Sequence, residues 1–258
     1  MAHFHLPKPI HGWRQFLGEV GIIVLGVLIA LAAEQLVDDW HWRVKAHHAQ
    51  EAIDSELALD AGVFDARTIT APCLRQRLRQ VASLVAQARR SGTVPDVAGI
   101  KATGGQVILT AAWEEALADG TASHIRPERR RTYGLLYPVM LEYRRQLDEE
   151  ARLWTHLRLL QHAAGRISDP LLTDIASSTA EASYRGYALT TAAEQMSVAI
   201  HDLGIQPDYG MLLGSPGTIG RGTRGDVLRQ LHASKSDESS CAPVIANGKP
   251  VEAASPSS

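Results

Sequence analysis

The sequence predicts an all-α fold: one N-terminal transmembrane helix, then an antiparallel helical bundle, then a disordered C-terminal tail. Three observations predict it. Residues 20–33 read VGIIVLGVLIALAA, a run without a charged or strongly polar side chain. The middle of the chain is rich in Ala, Leu, Arg, Glu and Gln, all good helix formers, and its apolar residues recur at helical spacing. Beyond residue 234 the periodicity gives way to Ser, Pro, Ala and charge.

Taking the apolar run first, extension back through Phe16, Leu17 and Gly18 gives eighteen residues interrupted only by Glu19. About twenty apolar residues cross a bilayer, so residues 16–36 are assigned as the span and residues 1–15 as a short N-terminal tail. Trp13 precedes the run, and Trp40 and Trp42 follow it. From Trp13 to Trp40 is 27 helical steps, roughly 40 Å at about 1.5 Å per residue. That is the thickness of a bilayer with its headgroup zones, where tryptophan is enriched, so these three residues are read as interfacial anchors. The run is apolar on every side, unlike a surface helix of a soluble domain. A cleaved signal peptide is the rival reading, since Ala30-Leu31-Ala32 has the A-x-A form and Lys8 and Arg14 supply a basic start. Helix-favouring sequence continues without a turn residue through Ala33, Glu34, Gln35 and Leu36, which favours a retained anchor.

Glu19, Gly26, Ala30 and Ala33 fall on one face of this helix. Gly26 and Ala30 form a small-xxx-small pair that lets helix backbones approach, so this face is the candidate interface with a second copy or another membrane protein. Glu19 alternatively reaches headgroup water. Lys8 and Arg14 before the span balance Arg43 and Lys45 after it, a tie in the positive-inside count. The free amino terminus tips the orientation towards N-inside, with the bulk of the chain outside the cytoplasmic membrane.

The stretch His11-Gly12-Trp13-Arg14, the run Gly18 through Leu31 (GEVGIIVLGVLIAL), then Glu34-Gln35 and Trp42-Arg43, resembles a group of uncharacterised bacterial proteins that open with such a helix. The resemblance covers about the first 45 residues. It implies a single-pass anchor and nothing catalytic; the placement in the bacterial inner membrane with the bulk of the chain periplasmic follows from the orientation read above.

Residues 37–204 are expected to form the bundle. Ala49, Ile53, Leu57, Ala61 and Phe64 mark a first helix, continuous with the span or nearly so. Thr70 is expected to cap a second helix, with Pro72 in its first turn, a 4-3-4-3 seam from Leu74 to Ala88, and Gly92 past its end. Residues 91–105 read as a connector and 106–118 as a short helix. The longest helix opens at Pro127 and runs to about Ala164, with Pro138 kinking it. Ser168, Asp169 and Pro170 start the last long helix, which ends before Gly204. Residues 205–233 are a Gly/Pro-rich segment with one short helix, and residues 234–258 a disordered tail. Cys73 and Cys241 are read as two unpaired thiols, because Cys241 falls in that tail; pairing would require an oxidising compartment.

At 258 residues with 45% hydrophobic content the chain can bury a sizeable core, which excludes both wholesale disorder and a polytopic membrane protein. The formal net charge of −2 gives no electrostatic case for nucleic acid as partner. Candidate chemistry is thin. Residues 214–222 form a Gly-rich loop without a Gly-Lys-Ser/Thr ending, so they read as a linker rather than a phosphate cradle. His41, His47 and His48 cluster past the span, and His47 with Glu51 is an i,i+4 pair, but two ligands do not make a zinc site. Arg126, Arg129, Arg130 and Arg131 form a basic knot at a helix start, read as a solvated or salt-bridged face. Glu114-Glu115 and Glu149-Glu150 are adjacent and point to different faces, so neither is an acid–base pair. No catalytic, metal or cofactor site is expected. The expected role is structural or protein-interaction at the bacterial envelope; a sensor-like ligand-binding module is the alternative.

Overall fold

The computed structural model describes residues 12–102, 107–210, 212, 223–233 and 241–253. Helix dominates, and it begins with a long apolar N-terminal segment. Helix α1 runs unbroken from Trp13 to Ser91, 79 residues or nearly 120 Å at about 1.5 Å each, and closes on Gly92 in the left-handed conformation. The expected break at Thr70 is absent. Thr70 instead turns its hydroxyl back onto the Ala66 carbonyl at 2.9 Å, inside the helix, and Pro72 is an exposed interior residue. A helix-interior proline costs about 3 kcal/mol, and packing on both sides of it outweighs that cost. Ile53, Leu57 and Phe64 before Pro72, and Leu74, Val81 and Leu84 after it, are all buried.

Two short strands, β1 (Thr93–Val94) and β2 (Val97–Ala98), follow α1. The chain then returns along the molecule to α2 (Ala111–Ala118), which starts later than the expected residue 106. A 3₁₀ turn (Thr121–His124) leads into α3 (Pro127–Leu157), which contains Pro138 and gives way to a second 3₁₀ turn at Arg158–His162 rather than continuing to Ala164. β3 (Gly165–Arg166) pairs antiparallel with β1, and α4 (Asp169–Asp202) runs back. α5 (Arg224–Ala233) is short.

The contacts fix the directions of the long helices. Asp54, Glu56, Phe64 and Arg67 of α1 meet Tyr133, Tyr137, Tyr143 and Glu150 of α3, in the same order. α1 and α3 are therefore parallel to one another. Arg129 near the start of α3 bonds the Leu203 carbonyl at the end of α4, and Arg67 bonds the Gly186 carbonyl midway, so α4 is antiparallel to both. The expected hairpin between two halves of residues 37–91 is replaced by a single rod with α3 and α4 laid on it.

Two apolar clusters form the core. Nearer the N-terminal end, Ile53, Leu57 and Phe64 pack with Trp113, Tyr133, Met140, Met196 and Ile200. Farther along, Leu74, Leu78, Val81 and Leu84 pack with Trp154, Leu157, Leu172 and Ile175. Between them lies the Arg67–Glu150 pair, with the side chains 1% and 6% exposed and two charge-assisted bonds of 2.7 and 2.8 Å.

The C-terminal end corrects two expectations. Residues 241–253 are ordered: β4 (Ile245–Ala246) pairs with β2 and with β5 (Lys249–Pro250). The turn between β4 and β5 is Asn247-Gly248, both at positive φ (47° and 75°), a pairing that suits a two-residue hairpin. Cys241 is joined to Cys73 by a disulfide across 168 residues, so neither thiol is free. One face of α1 holds this segment. Four residues beyond Cys73, Arg77 donates to the Ala242 carbonyl at 2.9 Å. Gln80 then accepts from the Val244 amide (3.0 Å) and donates to the Val251 carbonyl (2.7 Å). Val244 is wholly buried in the far cluster, with Ala246 and Val251 packed against it, which is why the segment docks. Residues 234–240 and 254–258 of the expected tail lie outside the described residues.

Candidate functional site: the bare helix end and its junction with the domain

The exposed part of α1 is the first candidate. One helix is long and apolar enough to span a membrane, and none of its apolar window is buried. Ile22, Ile23, Leu28 and Ile29 are each more than half exposed. Eleven Phe, Leu, Ile and Val side chains lie between residues 16 and 33. At about −0.3 to −0.6 kcal/mol each on an insertion scale, they favour a bilayer over water by about 5 kcal/mol. Glu19, Gly26, Ala30 and Ala33 are all exposed, and a Cβ built on Gly26 meets nothing within 4 Å. That face is bare of any described residue of this chain. Trp13 and Trp40 are 74% and 69% exposed at the two ends of the run.

Trp42 behaves differently. Its ring stacks on His124 at 4.2 Å between centroids, and the Lys45 ammonium lies over the Trp42 ring, 5.0 Å from its centroid. Lys45 also pairs with Asp119 at 3.0 Å. The α1 rod is thus clamped to the turn before α3 just where it emerges from the domain. Beside this clamp is a surface basin of about 340 Å³, lined by Arg43, His47 and Gln50 of α1 and by His124, Ile125 and Arg126 at the entrance to α3. No carboxylate lines it. Neither Arg43 nor Arg126 forms an ion pair with a described residue, and α3 begins without a side-chain cap.

The basic knot is divided by the fold. Arg129 turns inward, reaching Asp54 at 2.6 Å, while Arg130 bonds the Ser123 carbonyl; only Arg126 faces the basin. Among the three histidines past the span, His47 and His48 each lie 3.4 Å from Glu51, and His47 reaches the basin. Among the described residues no group of three or more His, Cys, Asp or Glu gathers as a metal site. Glu149 and Glu150 do point apart, Glu149 to Arg185 and Glu150 to Arg67. The 214–222 loop lies outside the described residues.

A buried polar cluster escaped notice in the sequence. Glu56 and Asp60, one turn apart on α1, hold the entry to α2: Glu56 accepts from the Ala112 amide (3.0 Å) and the Tyr137 hydroxyl (2.7 Å), and Asp60 accepts from the Leu109 amide (3.0 Å). The second Asp60 oxygen has no described partner. Burial, opposed by the Leu109 amide and reinforced by Glu56, pushes the Asp60 carboxyl up to about 8. Burial also raises the Tyr137 hydroxyl, with Glu56 adding to it. Asp60 is completely inaccessible, so this cluster braces a chain crossing and does not meet solutes. Its sequence signal, acidic residues at i,i+4, is the same as that of a solvated helix face.

A second groove, about 420 Å³, runs between α1 and α4 and is lined by Ala82, Val85 and Ala86 against Ala176, Thr179 and Ala180. No family model, curated protein or solved structure matches this chain.

Proposed function

We propose that the protein is a single-pass membrane protein of the bacterial envelope whose helical domain stands on the oxidising side of the inner membrane, in a structural or docking role. The observation that carries this reading is the continuity of α1: one helix is bare from residue 16 to 33, apolar there apart from Glu19, and then becomes the central rod of a packed domain. Free in water such a segment would aggregate. Sharing one helix between bilayer and domain transmits the orientation of one to the other. The Cys73–Cys241 disulfide supports the outward orientation, because disulfides persist in the periplasm and are reduced in the cytosol. The bare Glu19, Gly26, Ala30 and Ala33 face supports a membrane partner, this chain or another. A sensor-like ligand module is the second reading, favoured by the groove between α1 and α4.

Protease protection in intact spheroplasts tests the proposal, following a C-terminal tag on the membrane-pelleted full chain. Removal of the tag by external protease is the expected result. A protected tag refutes the outward orientation. A protein that never pellets, or that runs about 3 kDa short through cleavage at Ala30-Leu31-Ala32, refutes the anchor.

A further inference from the structure

The geometry points to the basin between α1 and the start of α3 as a binding site for the phosphate of an anionic lipid headgroup. This rests on the reading of residues 16–36 as a membrane anchor.

Four features converge there. Its chemistry is cationic: Arg43 and Arg126 stand unpaired among the described residues, with His47 and His124 beside them and Gln50 as a further donor. Asp39, one turn before Arg43 in the sequence, makes no ion pair with it, and Glu51, near His47, is not part of the lining. Its position is within side-chain reach: Arg43 is seven residues past Leu36, roughly 10 Å along the helix, a few Å beyond a headgroup zone about 5 to 7 Å thick when residue 36 ends the hydrocarbon. Side chains on a helix lean towards its N-terminus, so Arg43 leans towards the bilayer. Because α3 is parallel to α1, its N-terminus faces the same way, and its uncapped first turn presents the positive end of a helix dipole to that surface.

Internal carboxylates do not satisfy these charges. Arg129 is neutralised by Asp54 and Lys45 by Asp119, whereas the two arginines that line the basin form no ion pair with a described residue. A headgroup phosphate accepts hydrogen bonds from both guanidinium groups at once. The Trp42–His124 stack, fastened by Lys45, holds the two walls of the basin together.

The test uses the full chain reconstituted into vesicles of phosphatidylcholine alone or phosphatidylcholine with phosphatidylglycerol. Flotation comes first, then amide hydrogen exchange over residues 121–130. The expected result is that the protein floats with both vesicle types and that phosphatidylglycerol slows exchange over residues 121–130. In the R43Q/R126Q variant that slowing falls on the order of tenfold, from the loss of two basic contacts at an anionic surface, while flotation and helical content are unchanged. Failure to float refutes the anchor, and the lipid site with it. Flotation without any difference between the two vesicle types refutes the lipid site alone. Equal slowing in the variant also refutes it. Slowing by inorganic phosphate on phosphatidylcholine vesicles, equal to that by phosphatidylglycerol, assigns the basin to a soluble phosphate and overturns the lipid source.

Discussion

Replacing Glu150 by alanine should be among the most damaging single changes outside the apolar core. Glu150 and Arg67 are the only ion pair among the described residues with both side chains below one-tenth exposed, and they occupy the layer between the two apolar clusters. Arg67 spends its guanidinium on Glu150 twice and on the Gly186 carbonyl once, so one pair ties all three long helices at one level. Burial alone would lower the Arg67 pKa, and the Glu150 hydrogen bonds and charge reverse this and raise it. Removing Glu150 leaves a cation buried with one carbonyl, and uncompensated charges of this kind cost about 3 to 5 kcal/mol. For a protein of this size each kcal/mol shifts Tm by about 2 to 4 °C, so the loss should be roughly 6 to 20 °C. The assay is loss of helical circular dichroism on heating, with the full chain in neutral detergent. R67M/E150L, which removes both charges and refills the space, should recover most of the loss, because two well-packed apolar groups forgo the desolvation cost of two ions. A loss under about 1 kcal/mol for Glu150→Ala, or a double variant no better than the single one, would show that water reaches the pair and would refute this account.

Three further outcomes follow from the packing. Gly62→Ala should release residues 205–210, since its Cβ would sit 2.1 Å from the Asp208 carbonyl oxygen and disrupt the Asp208 amide bond to the Ala58 carbonyl. A loss of about 1 to 3 kcal/mol in chemical denaturation, with faster proteolysis near Asp208, checks it. Asp60 binds its proton more tightly folded than unfolded, so its stabilising contribution is full below about pH 4 and is lost as pH rises through about 8. Within that window it should lower stability by up to about 1.4 kcal/mol per pH unit, and a pH series of denaturation curves should be flatter for Asp60→Asn. Cys73→Ser should free residues 241–253 to proteolysis and cost about 2 to 5 kcal/mol, while wild-type mobility on a gel should change on reduction.

Much of the helical content was legible because helical periodicity and capping are local properties. The stripe of Ile53, Leu57 and Phe64, the Pro127 start, and the Ser168-Asp169-Pro170 start all report on neighbours within one or two turns. The Asn247-Gly248 turn is equally local, and its flanking strands are only two residues each, too short to show an alternating pattern.

By itself the sequence determined that an apolar helix lies near the N-terminus and that most of the remainder is helix, since both follow from side chains acting on adjacent backbone; that this helix is bare of other described residues is a tertiary fact. Tertiary structure decided the rest. Thr70 followed by Pro72 signals a helix start when considered alone, and Pro72 is carried through because buried residues before and after it share one rod. Cys73 and Cys241 are separated by 168 residues, and only the docking of Val244 beneath Gln80 brings them together. Arg43 and Arg126 belong to unrelated stretches of sequence, each surrounded by ordinary charged residues. They become one basin because α3 is parallel to α1 and starts beside the point where the rod leaves the domain, a relation set by long-range packing that no local pattern encodes.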